Sequence, residues 1–149
     1  MCIRDRLTSI RNHEIAHREL FKAALKKNAI PDLEVDFTKV DFNSKDSVLS
    51  TAKTFEDLGV AAYNGAGQLL EKGDYLLLAG KIVSVEARHA AAIRDLIGPD
   101  AWKDDGTVDA KGLDKAMLPS EVLPIVAPFI KTKFGSDATL VQPRSCSSN

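Results

Sequence analysis

The chain has 149 residues, with 20 basic and 21 acidic side chains and few aromatic ones. That length fits one domain with a modest core, and the near balance of charge leaves no electrostatic footprint for nucleic acid or an anionic membrane. No apolar run is long enough to span a bilayer, and no cationic start followed by an apolar stretch marks a signal peptide.

In chain order, Met1-Cys2-Ile3-Arg4-Asp5-Arg6 fits no pattern that follows and reads as a start that is not native. Periodicity predicts a first helix over residues 7–29. Ile30-Pro31-Asp32 stops it, because proline cannot continue the hydrogen-bond ladder and biases the residue before it toward extended backbone. Residues 31–43 alternate loosely through Leu33, Val35, Phe37, Val40 and Phe42. A strand is one reading. With no partner strand evident, an extended crossover whose apolar residues pack on the helices is expected instead. Asn43 or Ser44 can cap a second helix over 44–72, and Gly73-Asp74 supplies a stop and a new cap. The third helix is expected over 74–97, ended by Gly98-Pro99.

Residues 99–118 read as a loop containing Trp102, whose chemistry is not legible. A short helix is expected between 119 and 131, disturbed by Pro124 and Pro128. The chain thus divides into a start (1–6), a helical bundle (7–98), a loop and short helix packing on it (99–135), and a disordered tail (136–149). Cys2 and Cys146 lie near opposite ends with no Cys-x-x-Cys pair, so they give no disulfide framework.

Each long helix carries a stripe with alternating spacings of three and four. The first is Leu7, Ile10, Glu14, His17, Phe21, Ala24. The second is Leu49, Ala52, Glu56, Gly59, Tyr63, Ala66, Leu70. The third is Ala79, Ile82, Glu86, His89, Ile93, Leu96. This is the seam of a helix bundle. In all three the seam is apolar except near its middle, where Glu or a Glu-x-x-His pair replaces the hydrophobe. A spacing of three puts the carboxylate and the imidazole one turn apart on one face. Burying three unpaired carboxylates together is costly, and one or two divalent cations between the helices would resolve it. The candidate metal ligands are therefore Glu14, His17, Glu56, Glu86 and His89.

Three segments carry a resemblance: His13-Glu14-Ile15-Ala16-His17-Arg18-Glu19-Leu20, Phe55-Glu56-Asp57-Leu58-Gly59-Val60-Ala61-Ala62-Tyr63, and Val85-Glu86-Ala87-Arg88-His89-Ala90-Ala91. Over residues 7–98 the chain resembles bacterial ferritin-like domain proteins of the desiccation-related type, within the di-iron carboxylate superfamily. The resemblance implies an all-α, antiparallel ferritin-like bundle holding two iron or manganese ions. Glu14 and Glu86 would bridge the metals, and Glu56 would be a terminal ligand on the metal bound by His89. It also implies a preceding helix whose Glu shares a metal with His17. Nothing before Leu7 matches that helix, so a shortened reading frame is expected, with an exposed apolar groove through which the chain could form a homodimer. Iron-oxidising, oxygen-handling or peroxide-handling chemistry is what the superfamily implies for the intact parent. The fold also hosts non-catalytic members.

Two other readings compete. His13 makes the first motif His-Glu-x-x-His, the signature of zinc peptidases, in which Glu14 would be a general base. That reading needs a third ligand and a cleft, and His13 lies one position off the seam, toward the bundle flank. The second is a metal-free helical interaction module, in which the Glu and His residues pair with one another or with Arg88 and Lys53. Tyr63, two turns after Glu56, is expected as a core tyrosine or a hydrogen-bonding neighbour of the site. Gly59 could leave room beside Glu56, and Gly65 and Gly67 could allow a close helix approach or a kink.

Overall fold

In the computed structural model, which describes residues 2–98 and 106–132, the regular structure is helical. Helix α1 runs Ile3–Leu25, α2 Lys45–Gly67, α3 Gly73–Ile97 and α4 Pro119–Val126. Single 3-10 turns follow α1 at Lys26–Asn28 and α4 at Ala127–Phe129. Among the described residues the extended pairings are isolated bridges, Val35 with Ile130 and Val108 with Asp114. No helix among the described residues is long and apolar enough to cross a membrane. The all-α bundle expected from the three stripes is what forms. Trp102 and the tail after residue 135 lie outside the described residues.

The helix bounds depart from expectation in ways local chemistry explains. α1 begins at Ile3, ahead of residue 7. Asp5 sits in its first turn, favourably placed against the helix dipole, and its Oδ2 accepts from the Cys2 N–H at 3.4 Å. The helix stops at Leu25, not residue 29, where Lys26 adopts a φ of 51°, a region that non-glycine residues rarely enter. Ser44 caps α2 as expected, its hydroxyl accepting from the Ser47 N–H at 3.2 Å. α2 ends at Gly67, five residues short of the expected bound. Gly65 and Gly67 weaken the last turn, and Gln68 Nε2 donates to the Gly65 carbonyl at 3.1 Å. α3 starts at Gly73 with Lys72 as its cap, so Gly73-Asp74 opens the helix and does not precede it. In α4, Pro119 occupies the first turn, and Pro124 deprives the Ser120 carbonyl of its usual donor before the chain tightens into the 3-10 turn.

The connections set the topology. α2 and α3 are joined by residues 68–72 and pack antiparallel along their length. α1 runs antiparallel to α3: Arg6 pairs with Asp95 at 2.6 Å near one end, and Leu25 lines a cavity with Tyr75 and Leu78 near the other. α1 and α2 are therefore parallel. A connection between parallel helices must run back along the helix length, about 35 Å for 23 residues. The extended crossover 29–43 does this. Phe37 anchors it against Phe55 of α2 and Phe129, with ring centroids 6.2 and 6.1 Å away. Its partner lay out of sight in the sequence. The Asp36 N–H donates to the Phe129 carbonyl and the Lys131 N–H to the Glu34 carbonyl, each at 2.8 Å.

The core lies between α2 and α3. Leu49, Leu58, Val60 and Ala61 are buried on α2, and Ile82, Ala90 and Ile93 on α3. Leu49 and Ile93 are 2% and 1% exposed. Burying a side chain of that size fully contributes about 1.5–3 kcal/mol. Arg94 is also buried on α3 and pairs with Asp57 of α2. The segment before α4 is strapped onto α2, with the Met117 N–H donating to the Ala61 carbonyl at 2.8 Å. A Cβ at Gly65 would lie 1.9 Å from the Met117 carbonyl oxygen, so glycine is required there for the approach of this strap and not of another helix. α1 buries no residue fully.

Candidate metal centre

The three stripes meet at mid-length. α1 presents Glu14 and His17, α2 presents Glu56, and α3 presents Glu86 and His89. Glu86 and His89 are each 4% exposed, while Glu56 and His17 are half-buried. One ligand atom each from Glu14, Glu56, Glu86 and His89 lies within 4.8 Å of the others. His17 stands beside this group and not within it, its Nδ1 3.1 Å from Glu86 Oε1.

The glutamates divide by what they face. Glu14 turns Oε1 to His89 Nδ1 at 2.9 Å and Oε2 to His17 Nδ1 at 3.6 Å. Glu86 turns Oε1 to His17 Nδ1 and Oε2 to His89 Nδ1, the latter at 3.4 Å. Each therefore offers one oxygen to each imidazole. Glu56 faces only His89, with Oε2 3.4 Å from Nδ1. The two histidines are consequently unequal: three carboxylates surround His89 Nδ1 and two surround His17 Nδ1.

Electrostatics follow from this crowding. Burial pushes the Glu56 carboxyl above its ordinary value, and repulsion from Glu14 and Glu86 adds to the rise against the opposing pull of His89. For Glu14 burial acts upward too, but His89 and His17 outweigh it and hold the carboxyl below the usual range. Burial disfavours the His89 cation, yet Glu14, Glu56 and Glu86 together overcome this and raise its pKa to about 11. One imidazolium cannot neutralise three carboxylates, so the cluster favours a further cation.

The polar atoms themselves fit a metal shell. Glu14 Oε1, His17 Nδ1 and His89 Nδ1 are buried without a hydrogen bond of acceptable geometry, despite their close neighbours. Buried polar groups are normally satisfied. Carboxylate oxygens and imidazole nitrogens converging without bonds to one another form a mixed N/O donor set suited to iron or manganese.

His13 is exposed on the flank of α1, as expected, yet its ring reaches the site. Its Nδ1 lies 2.9 Å from His89 Nε2. The available signal was its spacing of four from His17, which puts both rings on one side of α1. This arrangement departs from a zinc-peptidase site, where His13 and His17 would turn to the same ion and leave Glu14 free. Tyr63 stacks on Phe21 with centroids 6.3 Å apart, and burial, then the charges of Glu86 and Glu14, raise its phenol above the ordinary value. A Cβ at Gly59 would meet nothing within 4 Å, so this glycine is not forced by close packing.

Fold and cluster together define a helical bundle with a carboxylate–histidine site at its centre. The chain belongs to the ferritin-like domain family, whose model matches residues 2–99. No curated protein and no solved structure matches it.

Proposed function

We propose that this protein binds a pair of metal ions, iron or manganese, between α1, α2 and α3 through Glu14, His17, Glu56, Glu86 and His89. The observation that carries this reading is the convergence of four ligand atoms within 4.8 Å, among buried polar atoms that lack hydrogen-bond partners. Glu14 and Glu86 each offer one oxygen to each imidazole, so they would help hold both ions, as the family resemblance implies. Glu56 is assigned to the ion at His89, the only imidazole it faces. When bound, such ions supply electron exchange with oxygen or peroxide. The protein's own part is to hold the donors, and to carry His89 as the proton-bearing group that a metal displaces.

An oxidoreductase or iron-oxidising role, and a place in the bacterial desiccation-related branch, extend this proposal by resemblance alone. The homodimer belongs to it as well. It would form through the groove expected in place of the family's first helix, and sedimentation at increasing concentration measures whether it does. A metal-free helical module has one supporting observation, the ion pairs between His89 and its three glutamates.

Anaerobic Fe(II) and Mn(II) titration with elemental analysis separates the two. The metal reading expects stoichiometric uptake by the wild type and loss of uptake in the Glu86→Ala, His89→Ala variant. Equal behaviour of the two proteins removes the site assignment and leaves the metal-free module.

A further inference from the structure

The metal reading uses one edge of the His89 ring and leaves the other unexplained. Nδ1 faces the three carboxylates, while Nε2 lies 2.9 Å from His13 Nδ1. The two ring planes differ by 10° and the centroids stand 5.1 Å apart. That separation is close to two ring radii plus one N–H···N bond. The rings therefore lie end to end near a common plane, the geometry of an in-plane hydrogen bond and not of a face-on stack.

We propose that His13 is a positioning residue for the metal centre, fixing the tautomer and ring orientation of His89. The inference rests on His89 being a ligand. An imidazole that coordinates through Nδ1 keeps its proton on Nε2. Nε2–H then donates to His13 Nδ1, and His13 carries its own proton on Nε2. Metal-bound histidines commonly need such a partner on the second nitrogen, and its loss typically weakens metal binding 10- to 100-fold. Without His13, a ring only 4% exposed would hold an unsatisfied N–H and could rotate about its Cβ–Cγ bond. The arrangement also gives α1 a grip on both edges of one α3 side chain. Glu14 meets Nδ1, and its neighbour in sequence, His13, meets Nε2.

The test is Co(II) titration of the full chain as wild type, His13→Leu and His13→Asn, with ligand-field absorption recorded at each step. Leucine fills the space and accepts nothing. Asparagine places Oδ1 at the same number of bonds from Cα as His13 Nδ1 and accepts from Nε2–H. Because His13 is exposed, the variants should fold, which circular dichroism checks. The inference expects His13→Leu to bind Co(II) 10- to 100-fold more weakly with a shifted spectrum, and His13→Asn to restore most of both. It also expects nitrogen-15 spectra of the Zn(II)-loaded wild type to show His89 protonated at Nε2. If His13→Leu matches the wild type, or its defect is not rescued by asparagine, the positioning role is overturned while the metal site stands. If the wild type takes up no Co(II), the metal reading fails and this inference fails with it.

Discussion

α2 and α3 bury one another, whereas α1 lies on them with no residue fully buried. Among the described residues, the buried aliphatic side chains are on the α2–α3 pair, together with the Arg94–Asp57 ion pair. The backbone of α1 comes close to that of α3 but not to that of α2, which it reaches through Phe21 on Tyr63. Polar ties add to this: Arg6 with Asp95, His13 with His89, and Glu14 in the central cluster with His17 beside it. Exposed ion pairs such as Arg6–Asp95 contribute about 0–1 kcal/mol. The α2–α3 pair is held by a buried core, whereas α1 buries no residue fully and contributes Glu14 and His17 to the central site. A metal ion would then be a structural element for α1 as well as a cofactor.

Substitutions on the two sides should differ most. Ile93→Ala, inside the pair, is expected to cost about 3–5 kcal/mol by urea denaturation, and Phe21→Ala, on half-open α1, well under half as much. Equal losses would mean that α1 is as firmly packed as its neighbours. Asp57→Ala leaves Arg94 buried without this partner and should cost about 3 kcal/mol, again on the α2–α3 side. Saturation with Mn(II) at about 100 times its dissociation constant should stabilise the protein by about 2.7 kcal/mol. Hydrogen exchange should show that added protection concentrated in α1; protection spread evenly would break the contrast.

The contrast can also be read in pH. A histidine whose folded pKa is raised gives stability that is fully present below its unfolded value of 6.5 and is lost as pH climbs toward about 11. The metal-free protein should therefore lose stability across this range. Metal affinity at His89 should move the other way, because an ion bound there must displace the His89 proton. The gain is about tenfold per pH unit for one proton released, read by calorimetry in buffers of different ionisation enthalpy.

The stripes made the three long helices legible, and with them the four clustered residues and His17 beside them, because a polar residue on an apolar seam is costly at every level of folding. Ends were less legible. Ile3, four residues before Leu7, continues the stripe and was an overlooked sign that residues 3–6 join α1, while the glycines that end α2 at Gly67 also allow a helix to continue when neighbours favour it. What depends on distant residues was not legible at all. The carbonyl of Met117 against Gly65 and the pairing of residues 34–36 with 129–131 arise only once the helices are placed. His13 falls between these cases. Its spacing from His17 was visible, but its partner depends on how α1 is rotated against α3.

The central claim is that Glu14, Glu56, Glu86 and His89 enclose a metal site between α1 and the α2–α3 pair. Anomalous diffraction from crystals grown with Mn(II), recorded near the manganese edge, tests it most directly. Two adjacent peaks are expected between the helices, one beside Glu14, Glu56, Glu86 and His89 and the other beside Glu14, Glu86 and His17. Anomalous density only elsewhere on the protein, with the cluster closed by hydrogen bonds among its own residues, would contradict it.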